Sequence, residues 1–294
     1  MVIKKIPKAK VLEWMAGCRT KGDFDLKEGH LLQTNKKEMV AFRQMSKVFS
    51  NGTVALDQFD LTIGEGEFLT FLGPSGCGKS TALRMTAGLA EASSGEVKVF
   101  NKDPKETIRN TNDIAFVFQE PNLLPWRKVI DNVVLPLELR GTSKKEAKAE
   151  ACRVLEMVGL KDYATSYPRE LSGGMKMRVS IARALAAKPK LLLMDEPFAA
   201  LDEMTRQSLQ LELLEIWEKE KTTILFVTHN VFEAVYLSTR IAVMSAGPGR
   251  LSSVIDVNLP YPRHAISRTD QEFSAYVKKA SDQLENSLDK RGIG

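Results

Sequence analysis

The sequence of 294 residues contains no apolar run near the roughly 18 consecutive residues that a membrane-spanning helix requires. Its longest apolar runs, such as 191–194 and 224–227, are only as long as a strand. The Lys-rich beginning has neither an apolar segment nor a cleavage site of small residues, so no signal peptide is predicted. Three cysteines (Cys18, Cys77 and Cys152) are an odd number, which disfavours a disulfide framework and favours a reducing, cytoplasmic compartment.

The chain also has little net charge outside one segment. The formal net charge is +5, and residues 1–38, with nine Lys or Arg and five Asp or Glu, account for four of the five charges. A protein that binds a nucleic-acid backbone needs a basic face, which the nearly neutral remainder lacks. Residues 1–38 are interpreted as a basic extension, with a disordered tail as the default and contact with anionic lipid as the alternative.

From Met39 onward, short apolar segments alternate with helical ones. The predicted strands are 40–45, 55–63, 67–72, 97–100, 114–118, 191–194, 224–227 and 241–244. Helices are predicted over 80–88, within the charged region 126–170, and as an amphipathic helix over 271–288 that packs on the core. Apolar strands that alternate with helices indicate an α/β fold whose parallel sheet is covered on both faces.

A glycine-rich segment follows the third predicted strand directly. Residues 73–80 read GPSGCGKS, which matches the phosphate-binding loop pattern without deviation. Glycines let backbone N–H groups approach phosphates, and the next helix directs its positive dipole end toward them. Lys79 is predicted to bind the β- and γ-phosphates, and Ser80 to bind Mg²⁺; the strand–helix context disfavours the alternative of a chance turn. The predicted nucleotide-binding residues here are Gly73, Pro74, Ser75, Gly76, Cys77, Gly78, Lys79, Ser80 and Thr81.

An acidic pair ends the apolar segment 191–194. Asp195 and Glu196 would stand at the carboxyl end of a strand, where ligands bind in such sheets. Asp195 is predicted to hold Mg²⁺ through water, and Glu196 to polarise the attacking water. The pair alone is equally well explained as a surface turn, but its distance from the glycine-rich loop makes the assignment specific.

The segment LSGGM at 171–175, with a helix predicted over 176–184, resembles the signature of the ABC ATPase family. Ser172, Gly173 and Gly174 stand at the helix start, where an anion binds favourably. In that family the signature of one subunit closes on the γ-phosphate held by the other, so the resemblance implies a second copy of this chain in an ATP-sandwich dimer.

The resemblance covers roughly residues 39–260. It implies a P-loop NTPase fold of ABC type, with a mainly parallel sheet core, an antiparallel β subdomain and an α-helical signature subdomain at about 121–175. The basic extension 1–38 would precede this domain, and a helical tail, 261–294, would follow it.

The remaining family positions occur in the expected order. Phe49 stands where the family stacks an aromatic ring on adenine, although Tyr is commoner there. Gln119 matches the glutamine that reports γ-phosphate and Mg²⁺ to the membrane partner, and Asp202 ends the loop that links the two sites, in which Ala200 replaces the usual Ser. His229 matches the switch histidine. Singly, Phe49 is explained by core packing, Gln119 by a surface amide and His229 by a strand end. The resemblance implies these roles: Glu196, His229 and Lys79 in catalysis, and Ser80, Gln119 and Asp195 on the metal.

Three features resemble the nitrate/sulfonate/taurine branch of importers. Met175 replaces the usual Gln of the signature, so the contact of that amide is lost or replaced. Residues 122–126 read NLLPW, and 245–251 read SAGPGRL. In the resemblance Trp126 lies near the groove that receives the permease's coupling helix, and a buried anchor is the alternative.

The resemblance implies an ATP-hydrolysing subunit of an importer at the cytoplasmic face of the membrane, with ATP and Mg²⁺. Its partners would be integral membrane permease subunits and, indirectly, a solute-binding protein, but no nucleic acid. A soluble ABC ATPase acting on DNA or ribosomes stays open, although Lys79 and Ser172 are too close for an intervening coiled coil. A non-hydrolysing regulatory cassette also stays open, although Glu196 and His229 are present.

Cys77 lies within the phosphate loop at a predicted helix start. A helix dipole there is expected to lower its thiol pKa somewhat. The residue is interpreted as a small side chain that fits the loop, and a reactive thiol whose alkylation blocks ATP binding is the alternative.

Overall fold

The computed structural model of the chain describes residues 37–110, 113–245, 247–263 and 268–289. The basic extension predicted at 1–38 lies almost wholly outside the described residues, and so does Cys18. Parts of the predicted tail, 264–267 and 290–294, also lie outside them.

The described strands form two sheets. They are β1 Glu38–Val48, β2 Val54–Gly64, β3 Phe68–Leu72, β4 Ser94–Val99, β5 Ile114–Val117, β6 Leu191–Asp195, β7 Thr223–Thr228, β8 Arg240–Met244 and β9 Leu251–Asp256. One sheet has the order β2-β1-β4 and is antiparallel. The other has the order β5-β6-β7-β3-β8-β9, in which only β9 runs antiparallel to its neighbour. This arrangement confirms the predicted fold class.

The central strands are parallel and are buried on both faces, and for this reason their side chains are apolar on both faces. On β6, Leu192 and Met194 face one hydrophobic cluster, whereas Leu191 and Leu193 face the other. The first cluster includes the helices of the signature region, and the second includes the antiparallel sheet. A strand with two buried faces needs no polar alternation, which explains why the sequence shows continuous apolar runs.

The described helices cover both faces of this sheet. They are α1 Lys79–Thr86, α2 Pro104–Asn110, α3 Val129–Leu139, α4 Lys144–Met157, α5 Gly173–Ala186, α6 Glu203–Glu220, α7 Val231–Leu237 and α8 Gln271–Asp289. Short 3-10 turns at Lys161–Tyr163 and Pro168–Glu170 separate α4 from α5. None of the helices within the described ranges is both long and apolar enough to cross a membrane.

The predicted amphipathic helix at 271–288 is confirmed as α8. It buries Phe273 and Ala280, and the core cluster they join includes residues of α7 and β8. Ser143 caps α4, since its hydroxyl accepts a hydrogen bond from the backbone N–H of Glu146. The element therefore begins where sequence rules for helix capping place it.

Two described elements lack the runs of apolar residues on which the predicted elements are based. The edge strand β9 buries only Ile255 fully and contains Ser252 and Ser253, so it has no apolar run. The short helix α2 is mostly polar. The strand predicted at 97–100 ends one residue early, because Phe100 has a left-handed φ of 52° in the turn after β4.

Candidate active site

The carboxyl ends of three neighbouring parallel strands meet at one edge of the larger sheet. The glycine-rich loop follows β3, Glu196 follows β6, and His229 follows β7. The register pairs Leu72 with Thr228 and Asp195 with Val227, so the three strands end at the same level. This topology brings together side chains that are far apart in the sequence.

The glycine-rich loop folds around the ammonium group of Lys79. This side chain is only 4% exposed, and its Nζ donates hydrogen bonds to the carbonyl oxygens of Gly73 and Pro74, each at 2.8 Å. Gly78 precedes α1 with φ of 93°, and a Cβ there would lie 2.7 Å from the carbonyl oxygen of Ala55. A glycine is therefore required at Gly78 by both conformation and space. The loop places a buried cation at the start of a helix, which suits polyphosphate.

Ser80 and Asp195 form a hydroxyl–carboxylate pair beside this cation. The Ser80 hydroxyl donates to Oδ1 of Asp195 at 2.7 Å. Burial raises the pKa of Asp195, and the hydrogen bond from Ser80 opposes that rise. Oxygen donors of this kind suit Mg²⁺, which binds one or two carboxylates together with substrate phosphates and waters. Within the described part of the chain no cluster of three or more His, Cys, Asp or Glu could hold a metal by itself. The pair therefore fits an ion delivered with a phosphate ligand.

Glu196 joins two further groups of the site. Its Oε2 lies 3.0 Å from Nδ1 of His229, and its Oε1 lies 4.0 Å from Nζ of Lys79. Its backbone has the left-handed φ of 44°, which is uncommon for a residue other than glycine and is held here by a hydrogen bond from its N–H to the carbonyl of Val227. The turn directs the carboxylate across the strand ends toward the imidazole and the ammonium.

Cys77 corrects one expectation from the sequence. The side chain is fully buried beneath the loop, and burial raises its thiol pKa despite the opposing charge of Lys79. The predicted lowering of this pKa is therefore wrong, because desolvation outweighs the cation and the helix start. The interpretation of Cys77 as a small residue that fits the loop agrees with this environment.

A segment that sequence reasoning used only for its resemblance supports the glycine-rich loop from behind. A Cβ at Gly249 would lie 2.0 Å from the carbonyl oxygen of Cys77. Gly249 also exchanges backbone hydrogen bonds with the start of β2: its N–H donates to Ala55, and its carbonyl accepts from the N–H of Asp57. The Arg250 guanidinium pairs with the Asp57 carboxylate. We name residues 247–250 the support turn.

Several polar side chains behind His229 were also missed. Thr228, Glu233, Gln210 and Arg206 form a connected group under the turn that carries the histidine. The only sequence signal is a carboxylate four residues after His229, in the first turn of a short helix.

The other predicted site residues make no direct polar contact with the strand-end cluster of Lys79, Ser80, Asp195, Glu196 and His229. Within the described residues no hydrogen bond or ion pair joins Phe49, Gln119, Ser172 or Asp202 to that cluster. Phe49 follows β1 and is 45% exposed, with Nζ of Lys47 5.7 Å from the ring centroid. Gln119 is exposed just beyond β5. All four side chains are exposed to solvent, and within this one chain they do not form part of a closed nucleotide-binding site.

The signature residues begin α5. The Ser172 hydroxyl accepts a hydrogen bond from the N–H of Met175 and caps the helix, and Gly173 beside it is exposed. Gly174 is buried, and a Cβ there would lie 2.4 Å from Cγ2 of Thr205. Ser172 and Gly173 thus form an exposed helix start, and Gly174 allows α6 to pack closely against it.

Asp202 caps α6 in the same region. Its Oδ1 accepts a hydrogen bond from the N–H of Thr205 at 3.0 Å. This backbone hydrogen bond lowers the pKa of Asp202. The carboxylate is therefore ionised and oriented by the helix that it caps.

The structure shows the surroundings of two residues on which the predicted importer branch rests. Met175 packs partly buried against the larger hydrophobic cluster, so an apolar contact stands where the usual signature has an amide. Trp126 is 72% exposed, so the alternative of a buried anchor is wrong.

The comparisons with known proteins agree with this geometry. The model of the ABC transporter family matches residues 56–199. An uncharacterized ABC transporter ATP-binding protein of Methanocaldococcus jannaschii is 47% identical over 255 residues, which cover 86% of this chain and 93% of that protein. The aliphatic sulfonates import ATP-binding protein SsuB of Bacillus cereus is 44% identical over 249 residues, 84% of this chain and 96% of that protein.

A solved structure matches as well. The dimeric structure of an ATP-binding cassette in a post-hydrolysis state, bound to ADP and Pi, has a TM-score of 0.68 and 34% identity, and covers 76% of this chain and 100% of that chain. The phosphate loop, the acidic pair and the histidine thus occur in a chain that resembles such cassettes along most of its length. The protein belongs to the ABC transporter ATP-binding family, whose cassettes bind and hydrolyse ATP.

Proposed function

We propose that this chain powers an ABC importer for a small anion or organosulfur solute by hydrolysing MgATP. The proposal that the chain hydrolyses ATP rests on one observation. The Glu196 carboxylate contacts both His229 and Lys79 at the carboxyl ends of the central strands. The 44% identity to a protein named for aliphatic sulfonate import supports the solute class.

In the proposed reaction, the backbone N–H groups of the glycine-rich loop and the Lys79 ammonium hold the β- and γ-phosphates. Ser80, Asp195 and Gln119 would hold Mg²⁺, which supplies charge neutralisation at the phosphates. Glu196 accepts a proton from the attacking water, and His229 orients Glu196 and contacts the γ-phosphate. Catalysis of this kind consists mainly of positioning and electrostatic stabilisation.

A second copy of the chain completes the proposed site. The exposed helix start at Ser172 and Gly173 makes no hydrogen bond to the glycine-rich loop within the described residues, and it suits a phosphate bound by a partner. Phe49 would stack on the adenine, and Asp202 would lie between the two sites. The dimeric relative with ADP and Pi supports this arrangement.

We also propose that the motor docks on permease subunits at the cytoplasmic face of the membrane. A groove of about 330 Å³ lies between β5, α3 and α5, and is lined by Ile114, Phe116, Leu135, Leu139 and Arg183 among others. Gln119 follows β5 directly, so a helix in this groove would lie near the residue that would sense the nucleotide. A solute-binding protein would act on the permease from the other side.

The test is a pull-down with a tagged Glu196→Gln chain, held closed with ATP in gently solubilised membranes of its source organism. A Trp126→Ala version of the same chain is the matched control for docking. Recovery of a polytopic permease by the first chain, and its loss with the second, supports the importer. Recovery of ribosomes, DNA or soluble proteins alone would be compatible with ATP hydrolysis by this chain, but it would contradict a role in a transporter. Absence of ATP hydrolysis in the unmodified chain, with its permease bound, would favour the regulatory cassette.

A further inference from the structure

His229 lies on a turn whose two flanking residues are fixed by hydrogen bonds. The hydroxyl of Thr228, which is 2% exposed, accepts a hydrogen bond from the N–H of Asn230 at 3.0 Å. The Asn230 side chain in turn accepts hydrogen bonds from the N–H groups of Phe232 and Glu233 at the start of α7. The imidazole is 55% exposed, so these backbone contacts, rather than packing, set its position.

The carboxylate of Glu233 closes this turn from below. It is 6% exposed, and its Oε2 accepts a hydrogen bond from the Thr228 hydroxyl at 2.6 Å. Its Oε1 accepts from Nε2 of Gln210, a fully buried residue of α6, at 3.1 Å. A buried carboxylate is costly unless hydrogen bonds or a cation compensate it.

The compensating cation belongs to the other half of the site. Nε of Arg206 lies 3.6 Å from Oε1 of Glu233. The same guanidinium donates to the carbonyl of Leu201 at 2.8 Å and to that of Phe198 at 3.4 Å. These carbonyls belong to the loop that directly follows Glu196. Glu233 is thus hydrogen-bonded or ion-paired to groups that hold each of the two segments carrying the Glu196–His229 pair.

We propose that Glu233 is a positioning residue for hydrolysis, which fixes His229 relative to Glu196 by joining the Thr228 turn to the Arg206-held loop. This inference rests on the proposed function, in which Glu196 and His229 act on ATP. The 3.0 Å contact between their side chains requires both segments to keep their relative positions. Glu233 touches neither nucleotide nor metal in this account, so its substitution should lower turnover without weakening ATP binding.

The test compares Glu233→Gln with Glu212→Gln. Glu212 is a half-buried carboxylate of the same α6 that contributes Gln210, and it is paired with Arg178 away from His229. We expect Glu233→Gln to lower kcat roughly 10- to 100-fold, since small displacements of a catalytic group have effects of this order. The Kd for a fluorescent ATP analogue should change little, and Glu212→Gln should keep the kcat of the unmodified chain. Because loss of a buried charge also lowers stability, kcat is expressed per folded molecule, with the thermal midpoint measured alongside it.

A second pair of variants acts on the Thr228 end of the hydrogen bond that Glu233→Gln weakens by removing the charge of the acceptor. Thr228→Val deletes the hydroxyl at nearly constant shape, whereas Thr228→Ser keeps it. Thr228→Val should lose turnover and Thr228→Ser should recover most of it. The loss in the double variant Thr228→Val/Glu233→Gln should be less than the sum of the two losses in activation free energy, because both changes act on one shared contact, which Glu233→Gln weakens and Thr228→Val deletes.

Three outcomes separate the claims. An unmodified chain without ATPase activity, even with its permease, contradicts the proposed function. An active unmodified chain whose kcat is unchanged in Glu233→Gln or in Thr228→Val contradicts the positioning role alone. A lowered thermal midpoint with an unchanged kcat per folded molecule would mean that Glu233 contributes only to stability, which overturns the inference. Fully additive losses of activation free energy in the double variant would overturn it as well.

Discussion

At the scale of single residues, Glu196 is the side chain on which most of the site depends. Its left-handed backbone, its contact with His229 and its distance of 4.0 Å from the Lys79 ammonium all follow from the turn after β6. In the proposed reaction this carboxylate, held between an imidazole and a cation, accepts a proton from the attacking water. Backbone strain at such a position is typical of functional sites.

Replacing Glu196 by Gln keeps the shape of this side chain and removes its basicity. We expect kcat for ATP hydrolysis to fall roughly 10²- to 10⁴-fold, the usual contribution of a general base, while nucleotide binding is retained. Phosphate release and binding of a fluorescent ATP analogue measure the two quantities. The control is Glu156→Gln, an exposed carboxylate of α4 paired with Lys161. Hydrolysis near the unmodified rate would contradict the assignment of Glu196.

The buried thiol of Cys77 gives a second prediction at this scale. Because burial raises its pKa, the thiolate fraction at pH 7–8 is below that of an ordinary cysteine. Cys152, in contrast, is exposed on α4. Alkylation followed by peptide mass spectrometry should therefore modify Cys152 much faster than Cys77 in the native chain, with the difference abolished in denaturant. Faster native labelling of Cys77, with loss of ATP binding, would instead support the reactive-thiol alternative.

The sequence alone could name the reactive residue types but not their surroundings. The loop pattern identified Lys79, whereas Cys77 is buried in a cluster with Met244 and lies against Gly249, and both of these residues are distant in the sequence. The same holds for Trp126, whose exposure is set by packing of the helices around it. Residue-level environments are properties of the folded chain, and local patterns do not encode them.

At the scale of elements, the support turn gives the glycine-rich loop a rigid backing. Its Gly249 exchanges hydrogen bonds with Ala55 and Asp57 of β2 while it lies against the backbone of Cys77. The phosphate loop is therefore enclosed between β2 and the connection from β8 to β9. This contact explains in physical terms why the segment 245–251 carries glycine where it does.

Gly249→Ala should displace the backbone of the phosphate loop. A Cβ at 2.0 Å from the Cys77 carbonyl forces a shift, and overpacking of this kind costs about 1–3 kcal/mol. If that cost falls on the nucleotide-bound loop, the Kd for ATP should rise roughly tenfold. Titration with a fluorescent ATP analogue checks this. The control is Gly247→Asn in the same turn, where no atom lies within 4 Å of a Cβ and Asn tolerates the φ of 50°. Unchanged affinity in Gly249→Ala would remove the supporting role.

Strands that contain a run of apolar residues were predictable, including the edge strand β5, whereas the edge strand β9, which has no such run, was not. β3, β6 and β7 are continuous apolar segments, and each was predicted within one or two residues of its bounds. The edge strand β9 was not predicted, because its pairing with β8, rather than its composition, makes it a strand. The helix α8 was predicted because its apolar residues recur at helical spacing.

At the scale of the whole molecule, the two parts of the proposed site share no hydrogen bond or ion pair within the described residues. The cluster of Lys79, Asp195, Glu196 and His229 lies at the strand ends, whereas Ser172 and Gly173 begin α5 without any hydrogen bond to it. The sequence resemblance predicted this separation, because the family completes each site with a second copy. Dimer geometry depends on contacts between chains, which no pattern within one chain specifies.

The most direct test of the account is the mass of the Glu196→Gln chain in solution, measured by size-exclusion chromatography with light scattering, with and without MgATP. We expect a change from the monomer mass of 32.7 kDa to about twice that value on addition of ATP. This change should be lost in Glu196→Gln/Ser172→Arg, in which a bulky side chain blocks the start of α5. A chain that binds ATP with measured affinity and yet remains monomeric at saturation would contradict the proposed ATP-sandwich dimer.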